Sequence, residues 1–324
     1  MSAGVQPGPQ TAGFFSSAKR LTLGVGPRID PHGVRGYPID LRVKAVSTAW
    51  PAETNPVFGR FYVPVAQYGL GCYERWLAGD GDGWLDAALR TGRFLVERQE
   101  ADGSWFHRER FAHTFPLPNR WCCAMAQGES ASLLVRLFEQ TGEQAFAEAA
   151  HAALRPLSLS VAQGGVGAPI GSDGWWPEEY PTSPPSLVLN GAIFAWWGVR
   201  DVGVGLRDSE ALRAFETGVD TLVANLPRFD LGWWTLYCLY PFPVFNVASS
   251  FYQALHAAQL EAMNILAPRP ELQETSARWA GYLDSAWARR QALARKVLFR
   301  LVVPRNRLLA YRLPWNRSVA AVGS

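Results

Sequence analysis

An all-α fold, a toroid of paired antiparallel helices in the manner of an (α/α) barrel, whole or incomplete, or else a bundle, is what this sequence predicts. Three observations predict it. Residues 64–78, 84–100, 123–141, 143–158, 187–202, 208–226, 247–266 and 271–285 all carry apolar residues at three- and four-residue spacing. Short connectors break these segments, most clearly at Thr141-Gly142, Asp201 through Gly205 and Pro268 through Pro270. Strand signals are few and cluster around Gly164-Gly165-Val166. A chain of 324 residues, 48% hydrophobic and 18% charged with no composition break, supports one large core rather than two.

In chain order, residues 1–36 are rich in Gly, Pro and Ser and read as an extended or partly disordered arm. Residues 37–285 hold the helical segments and form the expected main domain. Residues 286–324 form a basic amphipathic tail. No basic-then-apolar leader and no long uncharged apolar run occurs, which points to the cytoplasm. Four cysteines (Cys72, Cys122, Cys123 and Cys238) and five scattered histidines lack metal-ligand spacing, and no nucleotide-binding glycine motif is present. Neither a metal nor an organic cofactor is expected, nor a nucleic-acid partner. Oligomeric state is not legible, although a dimer is compatible with the sequence.

Charge is unevenly spread. After Asp284 no acidic residue occurs but nine basic ones do, which leaves −6 for residues 1–284 against a whole-chain net of +3. The tail interleaves these charges with Trp287, Leu293, Val297, Leu298, Phe299, Leu301, Val302 and Val303. Such a mixture suits an anionic membrane surface, a partner protein (one in a glycan-assembly complex included), an anionic glycan or a docked terminal helix. The first two readings make the tail an attachment device outside the active site and the protein peripheral at the membrane.

Chemistry is concentrated in Trp176-Pro177-Glu178-Glu179-Tyr180-Pro181-Thr182, which runs through Pro184 and Ser186 to Leu189-Asn190-Gly191. Prolines keep this stretch out of a helix, so its two carboxylates sit on a rigid loop. The chain has 14 tryptophans, and Trp105, Trp121, Trp175, Trp176, Trp233 and Trp234 lie beside polar residues. Flat apolar faces with a polar edge suit sugar rings.

Several segments, in order, resemble the C-terminal catalytic region of the D-glucuronyl C5-epimerases, which convert D-glucuronate to L-iduronate within heparosan-type polysaccharides. They are the stretch from Tyr62 to Leu70, Asp102-Gly103-Ser104-Trp105, the stretch from Trp121 to Gly128 with Ser132, Leu134 and Arg136 behind it, and Glu178-Glu179-Tyr180-Pro181 through Asn190-Gly191. Gly198 and Asp201, Leu226-Pro227 with Asp230, Trp234-Thr235-Leu236-Tyr237, and Tyr252 with Leu255-His256 and Gln259-Leu260 complete the set. The resemblance implies a toroid of paired helices, an isomerase acting on an anionic uronate-containing glycan, and no cofactor. By it, Glu179 falls on the acid/base carboxylate and Tyr252 on the phenol opposite, with Tyr180 and Tyr237 nearby. Tyr62, Gln67, Tyr68, Trp105 and Arg120 are expected to bind substrate, as are Gln127, Trp176, Glu178, Asn190 and His256.

Such chemistry needs an acid/base group on each face of the sugar, because C5 loses a proton from one side and regains one on the other. Positive charge or hydrogen bonds must also hold the developing dianion. Arg60, Arg110, His113 and Arg120 are the candidates for that charge. Two departures from the family pattern stand out. Cys238-Leu239-Tyr240 follows Tyr237 where the family has Asp-Leu-Arg, and Tyr252-Gln253 replaces Tyr-His. Alternatives remain: a polysaccharide lyase passing through the same carbanion, a glycosidase using Glu178 or Glu179, or a non-catalytic glycan-binding homologue.

Overall fold

Residues 23–55, 58–108, 113–172 and 174–305 are described by the computed structural model. Arg110, the first part of the arm and the end of the tail lie outside them. Eight helices pair into hairpins: α1 (Tyr62–Leu77) with α2 (Gly83–Arg98), α3 (Ala124–Thr141) with α4 (Gln144–Ala152), α5 (Leu189–Gly205) with α6 (Ser209–Phe229), and α7 (Ser250–Leu266) with α8 (Pro270–Gly281). A ninth, α9 (Ala286–Val302), follows. The four hairpins form an open arc of the (α/α) type, not a closed barrel.

All eight expected segments are helical, and their edges moved for local reasons. The 143–158 segment splits into α4 and a turn at Arg155–Ser158, because Pro156 has no N–H to continue the ladder. By contrast α6 runs past the expected end through Pro227 to Phe229. Gly142 closes α3 in the left-handed region at φ 71, where a side chain would be strained, and its N–H bonds Phe138 O at 2.7 Å. Asp208 caps α6 by accepting from the amides of Glu210 and Ala211. Two small antiparallel pairs supply the strands, β1 (Phe106–His107) with β2 (Trp121–Cys122) and β3 (Gly167–Ile170) with β4 (Gly174–Pro177). Trp175 and Trp176, expected in a loop, belong to β4.

Direction along the arc decides where a site can form. Gln67 and Gly69 of α1 meet Glu129 and Leu133 of α3, while Gly128 and Arg136 of α3 meet Gly198 and Asp201 of α5, so α1, α3 and α5 run the same way. The returning helices α2, α4 and α6 are antiparallel to them, as Gly92 beside Leu137 and Phe146, and Gly218 against Trp196, illustrate. Short connectors therefore collect at one end. At the other end lie the long ones, residues 99–123, 159–188 and 230–249, beside the N-termini of the inner helices.

Contact between α3 and α5 is close enough to involve backbone. A Cβ on Gly198 would lie 2.3 Å from Gly128 Cα, and one on Gly128 would lie 2.5 Å from Ala195 Cα. Further along the interface Arg136 donates to Asp201 Oδ2 at 2.6 Å, with both side chains fully buried, and its second nitrogen donates to Gly36 O. Arg200 donates to the carbonyls of Asp30, Pro31 and Gly33. These two arginines tie residues 30–36 of the arm to the core.

Gly198→Val should therefore destabilise the protein by about 1–3 kcal/mol or more through forced overpacking. Urea denaturation followed by circular dichroism checks this, and an unchanged midpoint would rule the close contact out.

Candidate functional site

The site sits among the long connectors. Glu179 and Tyr180 leave the end of β4, Tyr237 comes from the connector before α7, and Tyr252 occupies the first turn of α7, which Ser249 caps. Tyr237 and Tyr252 meet edge to face, with ring centroids 4.8 Å apart. Tyr180 packs against His113 at 4.2 Å, Phe115 at 5.0 Å and Trp121 at 5.7 Å. Glu179 is buried, and Asn190 at the start of α5 donates to its Oε2 at 3.4 Å. Gly191 makes room for it, since a Cβ there would stand 2.4 Å from the same oxygen.

Electrostatics couple the four groups. Burial raises Glu179 to about 7, with Glu178 pushing the same way and Tyr180 and Asn190 opposing. Tyr252 rises to about 12, first through burial and then through the Glu179 charge, against the pull of Tyr237 and Arg305. Burial and Glu179 also hold Tyr180 and Tyr237 well above the usual phenol range. Near neutral pH the cluster thus combines one carboxyl poised to gain or lose a proton with phenols that keep theirs.

Glu178 has a different job. Its carboxylate accepts from the amides of Ser186 at 2.5 Å and Leu187 at 2.7 Å, and the side chain is fully buried. Leu187 is held at φ 48, a left-handed conformation costly for a branched side chain. Glu178 therefore clamps a strained loop just ahead of Asn190, and the substrate-binding role expected of it does not fit its position.

Other expected binding residues are likewise occupied within the fold. Tyr68 donates to the carbonyls of Ser47 and Ala49, Gln67 donates to Glu129, and Gln127 braces Trp105 N, Gly103 O and Ala153 O. The indole N–H of Trp105 donates to Leu95 O and that of Trp176 to Val188 O, both side chains being fully buried. Buried His256 lies against Thr235 Oγ1 at 3.0 Å. Burial, helped by Lys296, lowers it to about 3, so it is neutral. None of these offers a face to a sugar. Tyr62 and Arg120 differ. Tyr62 is half-buried 5.7 Å from His107, while exposed Arg120 stacks its guanidinium 3.3 Å from the Phe106 ring centroid. Stacking of His107 on Trp121 at 4.3 Å links this rim to Tyr180.

Positive charge arrives from an unexpected direction. Burial and the charges of Arg305 and Arg300 lower His113 to about 3, so it is neutral rather than the cation expected of it. The cations come from α9 and beyond. Lys296 Nζ lies 5.5 Å from the Tyr237 ring centroid and donates to Asn246 Oδ1 and Val247 O, both at 2.8 Å. Arg300 donates to Thr114 Oγ1 at 2.6 Å, next to His113. The sequence signal was present but easy to pass over: Ala288, Ala292, Lys296, Phe299 and Val303 recur at helical spacing as one stripe.

Comparison with known proteins identifies the family. The family described as D-glucuronyl C5-epimerase C-terminus matches residues 99–281. A D-glucuronyl C5-epimerase of Caenorhabditis elegans is 30% identical over 207 residues, covering 58% of this chain and 33% of the relative. An uncharacterised protein of Methanocaldococcus jannaschii is 27% identical over 157 residues, covering 47% of this chain and 50% of that one. The chain thus spans between a third and a half of the length of these relatives. Among solved structures, an unsaturated glucuronyl hydrolase from Bacillus sp. GL1 aligns with a TM-score of 0.44 at 17% identity, covering 71% of this chain and 61% of that one. The chain belongs to the D-glucuronyl C5-epimerase C-terminal family.

Substitution should separate the two adjacent glutamates. Glu178→Gln points an NH2 at a backbone amide and should cost about 1–3 kcal/mol, whereas Glu179→Gln keeps an acceptor for Asn190 and should cost less than about 1. Both carboxyls sit at about 7 in the fold, above an unfolded value of about 4.3. Their contribution is therefore fully present below that unfolded value and is lost as pH rises through about 7. Urea titrations at acid and mildly alkaline pH should show this loss, up to about 4 kcal/mol per group, and Glu179→Gln should remove its own share.

Proposed function

We propose that the chain is a uronate C5-epimerase, interconverting D-glucuronate and L-iduronate residues within a heparosan-like polysaccharide or an oligosaccharide. The observation that carries this reading is the convergence of one half-ionised buried carboxyl, Glu179, with the phenols of Tyr180, Tyr237 and Tyr252. In this reading the Glu179 carboxylate takes the C5 proton, and the electron pair moves into the substrate carboxylate to give a dianion. Tyr252, protonated because its pKa is about 12, returns a proton to C5 from the other face. Proton transfer from Glu179 through the hydrogen-bonded site then restores the phenol. No hydride moves, so the step balances without a redox partner.

The dianion needs positive potential. Helices α1, α3 and α5 direct their N-termini, and hence the positive ends of their dipoles, toward the end of the arc that carries the site. Lys296, Arg300 and Arg305 add charge beside Tyr237, His113 and Tyr252. In this reading they take the part of the arginine that the family carries after Tyr237 and this chain lacks. Half-buried Tyr62 and exposed Arg120 would meet neighbouring sugars of an anionic chain along the rim.

Incubation with candidate glucuronans in deuterated water should place deuterium at C5, read by NMR, without an ultraviolet-absorbing unsaturated uronate. Appearance of that chromophore would instead indicate a lyase. Glu179→Gln and Tyr252→Phe should each lower exchange by about a hundred- to ten-thousand-fold. Since the base form of Glu179 fills as pH rises, kcat/KM should climb about tenfold per pH unit below about 7 and then level. A folded Glu179→Gln protein retaining more than about a tenth of the exchange would sink the assignment.

A further inference from the structure

Helix α9 has two faces. Ala288, Ala292, Phe299 and Val303 bury one of them against the body. The opposite side carries Trp287, Leu293, Val297, Leu298 and Leu301, exposed by 58%, 68%, 52%, 50% and 77%. An outward helix face with this many large apolar side chains is unusual for a protein surrounded by water on all sides. Arg290 lies within that face, while Arg289 and Arg295 are exposed along its borders. From Ser285 to Ser324 the sequence contains no acidic residue.

We propose that the outer face of α9 is a membrane-docking surface, lying in the headgroup region of an anionic bilayer with its leucines in the acyl boundary and its arginines on lipid phosphates. Charge selects this occupant. A second copy meeting the same face would bring more arginines and no carboxylate to answer them, whereas anionic headgroups supply counter-charge along the whole helix. The helix lies on the surface rather than spanning it, since no helix among the described residues is long and apolar enough to cross a membrane. A cytoplasmic leaflet, with its negative surface, is the matching one. The buried stripe keeps α9 fixed to the body while it docks, so binding would hold the whole domain in one orientation to the bilayer.

Flotation of the full chain with phosphatidylcholine vesicles, with and without about 30 mol% phosphatidylglycerol, tests this. Binding should require the anionic lipid and should weaken at about 0.5 M salt. The triple substitution Leu293→Ser, Val297→Ser and Leu301→Ser changes only exposed side chains and should reduce binding at least about tenfold. Arg290→Gln should reduce it about fivefold, and both variants should keep the wild-type thermal midpoint and circular dichroism spectrum. Equal binding to neutral vesicles, or undiminished binding by the triple variant, would overturn the proposal. So would a dimer in light scattering that the triple variant abolishes, which would assign the face to a second copy. Equally tight binding to soluble polyglutamate would reduce the effect to charge alone and overturn it as well.

Discussion

Close approach of α3 and α5 at Gly128 and Gly198 is the constraint from which the site follows. Two helices whose backbones touch have no freedom of spacing, and the buried pair of Arg136 and Asp201 further along the interface fixes their relative register. Removing one partner of such a pair would leave an uncompensated buried charge. With α1 packed the same way on α3, the inner helices present their N-termini at one end. That end receives the long connectors, where the chain has length enough to carry Glu179, Tyr180 and Tyr237 to one place. The start of α7 adds Tyr252.

Within this frame, neighbouring glutamates divide two tasks that their sequence positions do not distinguish. Both are buried and both sit at about 7. Glu178 spends its oxygens on the amides of Ser186 and Leu187, holding Leu187 in a conformation it would not otherwise keep. Glu179 instead faces the Tyr180 hydroxyl and the weaker Asn190 contact at 3.4 Å, with Tyr237 and Tyr252 close enough to feel its charge. A carboxylate with its acceptor sites already filled is structural. One held by side chains, a phenol among them, rather than by backbone amides can exchange a proton.

Helix α9 joins body and surroundings. One stripe brings Lys296 to the Tyr237 ring and Arg300 to Thr114, so residues beyond the family match at 99–281 line the same cluster. The opposite face is apolar and basic. One amphipathic helix can therefore set the potential of the site from within while presenting a separate surface outward, because side chains half a turn apart do not share an environment.

Periodicity determined the helices. Each of the eight segments formed, since an apolar stripe at helical spacing can be buried in few other ways, and the edges shifted only at local details such as Pro156 and Pro227. Motif resemblance also singled out Glu179, Tyr180, Tyr237 and Tyr252, which the fold brings together. Burial was not legible: Trp105, Trp176, Gln127 and His256 look like binding residues from the sequence, yet tertiary packing turned all four inward and filled the polar atoms of the first three, and Nδ1 of His256, with backbone or side-chain partners. The stripe of α9 marks a docking face, but sequence could not tell that it docks beside the cluster. Lys296 stands 59 positions beyond Tyr237 in the chain, and only the docking of α9 brings them together, because the field at a site depends on distance in space and solvent exclusion rather than on separation along the sequence.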